Sequence, residues 1–258
     1  MRNIYILISV YYTISNMKQS IITKMKGAIT SYFSDWKLFE KIWLAAFTLI
    51  TIGLFIAWHD SWIGLAAALT GMLCVVLAAK GKISNYYVGI PNILLYAYIA
   101  YQNKYYGEVQ LNLLYFLPMS IIGIILWKRH VNKKKSKDDV VARLLSSKER
   151  VFWIVIAIAS VIIYGLFLGW IRGSLPFVDA ATNVFSIIAM ILMVKRAVEQ
   201  WVSWIIVDVL TIIMWMKAFL TTGNDITILI MWVAYLVNAI YGLTNWVKLY
   251  RQAHKEAA

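Results

Sequence analysis

Eight long apolar stretches follow one another through this chain, at 42–58, 61–79, 84–102, 108–127, 151–171, 178–195, 200–220 and 224–247. An α-helix needs roughly 20 mostly apolar residues to cross about 30 Å of hydrocarbon, and each stretch is close to that length. Hydrophobic residues make up 62% of the chain and charged residues only 14%. A soluble domain, ordinarily about half apolar, cannot bury that excess. No stretch alternates with the period of two that a barrel wall requires. Backbone groups in lipid must be satisfied within their own segment, so an all-α integral membrane protein is expected.

Charge placement gives the orientation. The net charge is +13, with 25 Lys and Arg. If the amino terminus is cytoplasmic, only Lys104, Arg172 and Lys217 fall outside, and the bases follow the positive-inside rule. Both termini are then cytoplasmic in a multi-pass protein of the cell membrane. The basic excess belongs to topology and to anionic membrane lipid rather than to nucleic acid. Nine of these bases lie between Lys128 and Arg150.

That basic loop, 128–150, divides two similar halves. Shifting the first half by 116 positions sets Lys80 on Arg196, Asn92 on Asp208, Leu94 on Leu210, Gly107 on Gly223 and Leu113 on Leu229. The reading is a tail at 1–41, an extra amino-terminal helix at 42–58 and a first three-helix bundle at 61–127. After the loop come a linker helix at 151–171, a second three-helix bundle at 178–247 and a cytoplasmic tail at 248–258. Three helices plus one make an even number of crossings, so the two bundles are parallel, a 3+1+3 plan with a pathway between them. The tail at 1–41 lies along the inner interface or extends as a free segment, and Met17 or Met25 is an alternative start.

"WVSWIIVD", Trp201 to Asp208, places two indoles and a carboxylate on one helix side, and Trp215 continues the stripe. A carboxylate at mid-membrane costs about 2.5–3.5 kcal/mol on a translocon scale, so Asp208 faces either a cavity or a helix partner. The rings serve either packing or a flat, cationic or hydrogen-bonding ligand. In the first half, "NYYVGIPNILLYAY" supplies Asn85, Asn92 and Tyr96, with Pro91 and Gly89 bending the helix. Asn92 joins the site or bonds a carbonyl freed by the bend. Pro118 bends the next helix, and Asn238 with Tyr241 forms a polar face in the last one, for ligand or for a neighbouring helix.

These residues resemble the PnuC-type nicotinamide riboside transporter family. The stretch from Leu69 to His130 is similar to that family's first half, and "WVSWIIVD" to its WxxW-containing helix. The resemblance covers about 42–250. It implies a SWEET-like architecture, assembly as a homotrimer, and uptake of a vitamin precursor by facilitated diffusion with trapping by cytoplasmic phosphorylation. It places Trp201, Trp204 and Asp208 in the binding helix. Relatives carrying thiamine or riboflavin leave the vitamin open.

Other classes are disfavoured. There is no GxxxxGK[ST] phosphate loop. His59, His130 and His254 sit at helix ends or in polar segments, so no metal or cofactor is expected. Asp138 and Asp139 lie in the lysine-rich loop, which argues against an enzyme. The lone Cys74 excludes an internal disulfide. A non-transporting receptor is the remaining alternative.

Overall fold

The computed structural model describes residues 16–20, 23, 27, 32, 34–58, 61–102, 109, 111–130, 140–170, 175–222 and 226–255. Most of the tail, part of the basic loop and the side chain of Trp215 lie outside the described residues. The chain forms two compact units, Met1–Ala46 and Phe47–Ala258.

Among the described residues, eight helices lie along the eight apolar stretches: α1 Leu38–Trp58, α2 Trp62–Lys80, α3 Ser84–Gln102, α4 Leu117–Lys128, α5 Ser147–Trp170, α6 Pro176–Val194, α7 Gln200–Thr222 and α8 Ile226–Lys255. A π-helical turn, Leu111–Phe116, leads into α4. Pro118 sits at its first turn, where the missing N–H is tolerated. The first helix starts earlier than 42, because the Glu40 carboxylate accepts the Lys37 backbone N–H at 2.7 Å and caps it.

Within the larger unit α2 packs on α3, α3 on α4, α4 on α6, α6 on α7, α7 on α8, and α8 back on α2. Helix α5 packs on α6 and is not a member of that ring. Exchanging α2, α3 and α4 for α6, α7 and α8 leaves the order of neighbours unchanged.

The turns between the first two helices of each triplet fix the register of this repeat. Lys82 N–H donates to Leu77 and Gly81 N–H to Ala78; Ala197 N–H donates to Leu192 and Arg196 N–H to Met193. Gly81 (φ 74°) and Arg196 (φ 60°) are the two described residues in the left-handed region. Asn85 Nδ2 donates to the Lys82 carbonyl, as Gln200 Nε2 does to that of Ala197. Gly81 therefore corresponds to Arg196, an offset of 115 rather than 116. The hydropathy match could not settle one residue, because a helix face drifts slowly along a 3.6-residue period. The consequence is that Asn92 corresponds to Val207 and Asp208 to Ile93.

The third helices obey a longer offset. Tyr86 lies on Gly123 and Trp201 on Gly242, each ring so close that an added Cβ would clash with it. Trp127 Nε1 donates to the Met193 carbonyl and Trp246 Nε1 to that of Ala78, each at 2.9 Å. Gly123 and Trp127 thus match Gly242 and Trp246 at 119. The four extra residues fall between the second and third helices, and α7 is the longer second helix.

Each glycine accepts a ring that a methyl group would displace. Gly123→Ala and Gly242→Ala are expected to cost about 1–3 kcal/mol each by overpacking. Gly53→Ala, with nothing within 4 Å, should be neutral or slightly stabilising. Thermal denaturation of the purified protein checks the contrast.

Candidate functional site

The inward face of α7 is a polar stripe. Gln200, Ser203, Asp208 and Thr211 are all buried, with Trp201 and Val207 between them. Asp208 is 4% exposed, and among the described residues nothing donates a hydrogen bond to its carboxylate. A structural acid of this kind would be expected to hold a helix partner, and the described residues supply none.

Other polar groups converge from three helices. Tyr235 of α8 has Cys74, Asp208 and Tyr96 as electrostatic neighbours. Gly71 of α2 leaves the space into which Asn92 and Tyr235 reach: a Cβ there would stand 3.0 Å from the Asn92 amide nitrogen and 3.7 Å from the Tyr235 hydroxyl. Asn92 Nδ2 donates to the Ala67 carbonyl at 2.7 Å, with Thr70 Oγ1 at 3.4 Å. The amide therefore ties α3 to α2 rather than serving a carbonyl of its own bent helix. Asn238 Nδ2 donates to the Val75 carbonyl at 3.1 Å. Asn92 thus lies beside Tyr235, Asp208 and Tyr96 belong to its electrostatic surroundings with Tyr96 itself exposed, and Asn238 links α8 to α2 one turn away.

The indoles divide. Trp201 is 4% exposed, packed on Gly242 and edge-on to Trp246 at 6.2 Å. Its Nε1 has no partner. Trp204, one turn nearer Asp208, is partly buried against the same core. Trp215 falls outside the described side chains.

Two further candidates lie elsewhere. Asn85 is fully buried in the α2–α3 turn, where its carbonyl accepts the Cys74 thiol at 3.3 Å. Tyr241 packs against the aromatic core. The sequence reading missed Tyr235, Thr70, Ser203 and Thr211. Tyr235 precedes Asn238 by three positions on the same face, and Ser203 and Thr211 flank the Asp208 stripe, so helical spacing could have flagged them.

At the end of the ring that carries the bases, one segment spans both turns. Val140 N–H donates to the Gly81 carbonyl and Arg143 N–H to that of Arg196, while Val198 N–H returns a bond to Arg143. Arg196 donates to the Val141 carbonyl at 3.0 Å. Burial, and then the charge of Arg143, push the Arg196 pKa down from the usual guanidinium value. Arg143 pairs with Glu149 at 3.0 Å, and Arg150 with Glu199 at 2.9 Å.

Residues 61–248 match the family model described as Nicotinamide mononucleotide transporter. A protein of Neisseria mucosa named nicotinamide riboside transporter PnuC is 38% identical over 91% of this chain and 93% of its own. One of the same name from Haemophilus influenzae is 34% identical over 86% of this chain and 96% of its own. A solved structure titled as the crystal structure of the vitamin B3 transporter PnuC superimposes with a TM-score of 0.73 at 38% identity. It covers 86% of this chain and 95% of that one.

Stability separates a binding acid from a structural one. Asp208→Asn removes an unpaired buried charge and is expected to leave the thermal midpoint at or above wild type. Asn92→Ala breaks a bond worth about 1 kcal/mol and should lower it. A fall in the midpoint of Asp208→Asn at pH 8 would show that the acid holds helices together.

Proposed function

The chain belongs to the nicotinamide mononucleotide transporter family, and on that premise we propose that it carries nicotinamide riboside across the cytoplasmic membrane. The observation that carries the reading is the buried Asp208 carboxylate, to which none of the described residues donates a hydrogen bond. Nicotinamide riboside is a flat pyridinium cation bearing hydroxyls and a carboxamide. An acid attracts its ring charge, Trp204 offers a face for stacking, and Tyr235, Tyr96 and Asn92 offer hydrogen bonds. The mononucleotide differs by a phosphate carrying close to two negative charges. No Lys or Arg lies within two turns of Asp208 along α7 to offset it, so the acid selects the riboside over its phosphate.

Transport is by facilitated diffusion. Asp208 is the deep carboxylate of the described bundle, and nothing beside it makes a second acid for a proton relay. Net uptake is then drawn forward by phosphorylation inside, because the phosphorylated product no longer fits the site. The bundle is read as two parallel triplets, α2–α4 and α6–α8, joined by α5 in a 3+1+3, SWEET-like plan with α1 added. The symmetric order of neighbours supports that reading. Both termini are cytoplasmic by the distribution of bases, and the unit assembles as a homotrimer as the family resemblance implies. Trp201, Trp215, Asn85, Asn238 and Tyr241 complete the proposed set of site residues, those far from Asp208 acting through helix positions rather than contact.

Nicotinamide riboside is expected to raise the thermal midpoint of the purified protein, whereas its mononucleotide, thiamine and riboflavin should not. Asp208→Asn should weaken riboside binding about ten-fold or more, a loss of roughly 1.4 kcal/mol, and weaken a neutral analogue far less. Equal loss for both, or a larger shift with thiamine, would overturn the assignment. Initial uptake into proteoliposomes should be unchanged by ionophores, and counterflow of labelled riboside should separate transport from mere binding.

A further inference from the structure

Between Asp208 and the end of the bundle that carries the bases lies a chain of four buried rings. Tyr86 meets Trp127 with centroids 4.9 Å apart, Trp127 meets Trp246 at 5.6 Å, and Trp246 meets Trp201 at 6.2 Å. None is more than 4% exposed. Tyr86 and Trp127 belong to the first triplet, and Trp246 and Trp201 are their counterparts in the second. The central contact, Trp127 with Trp246, therefore maps onto itself when the triplets are exchanged. That places it on the pseudo-two-fold axis, where a pathway between the triplets runs.

The two central indoles also fasten the triplets to each other. Trp127 donates from α4 to the Met193 carbonyl of α6, and Trp246 donates from α8 to the Ala78 carbonyl of α2. Parting the triplets at this level breaks both bonds and the ring contact together. Trp201 precedes Asp208 by seven residues, about 10 Å along the helix. A ligand beside Asp208 would have to pass the rings to leave by this end.

The same layer contains polar atoms that its closed form leaves unsatisfied. Tyr86 Oη, Trp201 Nε1, Asn85 Oδ1 and Gln200 Oε1 are enclosed with no hydrogen-bond partner. They form two symmetric pairs, Asn85 with Gln200 and Tyr86 with Trp201. A buried polar group without a partner is costly, and water admitted by opening would satisfy all four. Ring burial and two indole bonds hold the layer shut, and four stranded polar atoms favour opening it. A gate needs that balance, whereas a static core would lose stability by it.

We propose that Trp127 and Trp246, flanked by Tyr86 and Trp201, form the transport gate on the base-bearing face. The gate opens when the two central indoles separate along with their triplets. The strap from Val140 to Arg143, bonded to both turns, braces the closed form from outside.

The test measures access to the site and needs no ligand, so it stands apart from the choice of vitamin. Thr70→Cys is placed in a Cys74→Ser chain, and labelling by a membrane-impermeant thiol reagent is timed separately from each face of membrane vesicles. From the base-bearing face, Trp127→Ala and Trp246→Ala are expected to label about ten-fold faster than the parent, as when ~1.4 kcal/mol of closing energy is lost. Trp127→Phe and Trp246→Phe keep a ring but lose the N–H, and should show a smaller increase; they decide the matter if the alanine variants do not fold. Ile188→Ala, an equally buried truncation on α6 beside α5, should label at the parent rate. Parental rates in folded phenylalanine variants, equal acceleration by Ile188→Ala, or acceleration only from the opposite face would overturn the gate.

Discussion

Two indole N–H groups, each donated to a carbonyl at the end of a helix in the other triplet, are the interaction on which this bundle turns. Trp127 and Trp246 occupy matching places, so the bonds come as a reciprocal pair. In water each would contribute about 1 kcal/mol, since solvent competes for both partners. Inside a helical bundle the alternative is an unsatisfied group in a dry core, and the bonds gain geometric authority from that. They hold the helix pairs α4–α6 and α8–α2 together, the two seams between triplets. Ring packing on Gly123 and Gly242 then sets how closely the seams can approach.

The outer end of those seams is closed by backbone rather than by side chains. The segment from Val140 to Arg143 lies across Gly81 and Arg196, the two left-handed positions at the tips of equivalent turns. Glycine takes such a conformation without penalty, and an arginine there carries a cost of its own. Its hydrogen bond to Val141 explains what the second turn gains: the same side chain that strains the turn also clasps the strap. The Arg143–Glu149 pair then anchors the strap to the start of α5, and the Arg150–Glu199 pair ties α5 to the residue before α7; solvent screening keeps each ion pair weak and its role positional.

The helices were legible in the sequence because they are long-range patterns of apolarity, insensitive to single residues. Helix register was less legible. Lys80 and Arg196 invited a shift of 116, yet the hydrogen bonds of the turns equate Gly81 with Arg196. Charge at a helix end is a solvation signal that tolerates displacement by one, whereas a left-handed residue is a backbone signal that does not. Asp208 was legible because a carboxylate in an apolar run is costly wherever it points. Trp201 was ambiguous for the opposite reason: an indole packs as readily as it binds, and only the glycine opposite it, 41 residues along the chain, decides which. Tyr235 carried a signal only through its spacing from Asn238, three positions on along one helix face; residue type alone could not single it out, because the chain holds 16 tyrosines.

Polar side chains within apolar helices point to the interior pathway. The helices α3, α7 and α8 carry Asn92 and Tyr96, Asp208 and Thr211, and Tyr235 and Asn238. Lipid tolerates such residues poorly, so a helix holding several must turn them towards neighbours or cargo. The second helices of the two triplets, α3 and α7, occupy corresponding places in the order of neighbours. A pathway between two related triplets needs polar groups from both, and α3 and α7 supply them from opposite sides.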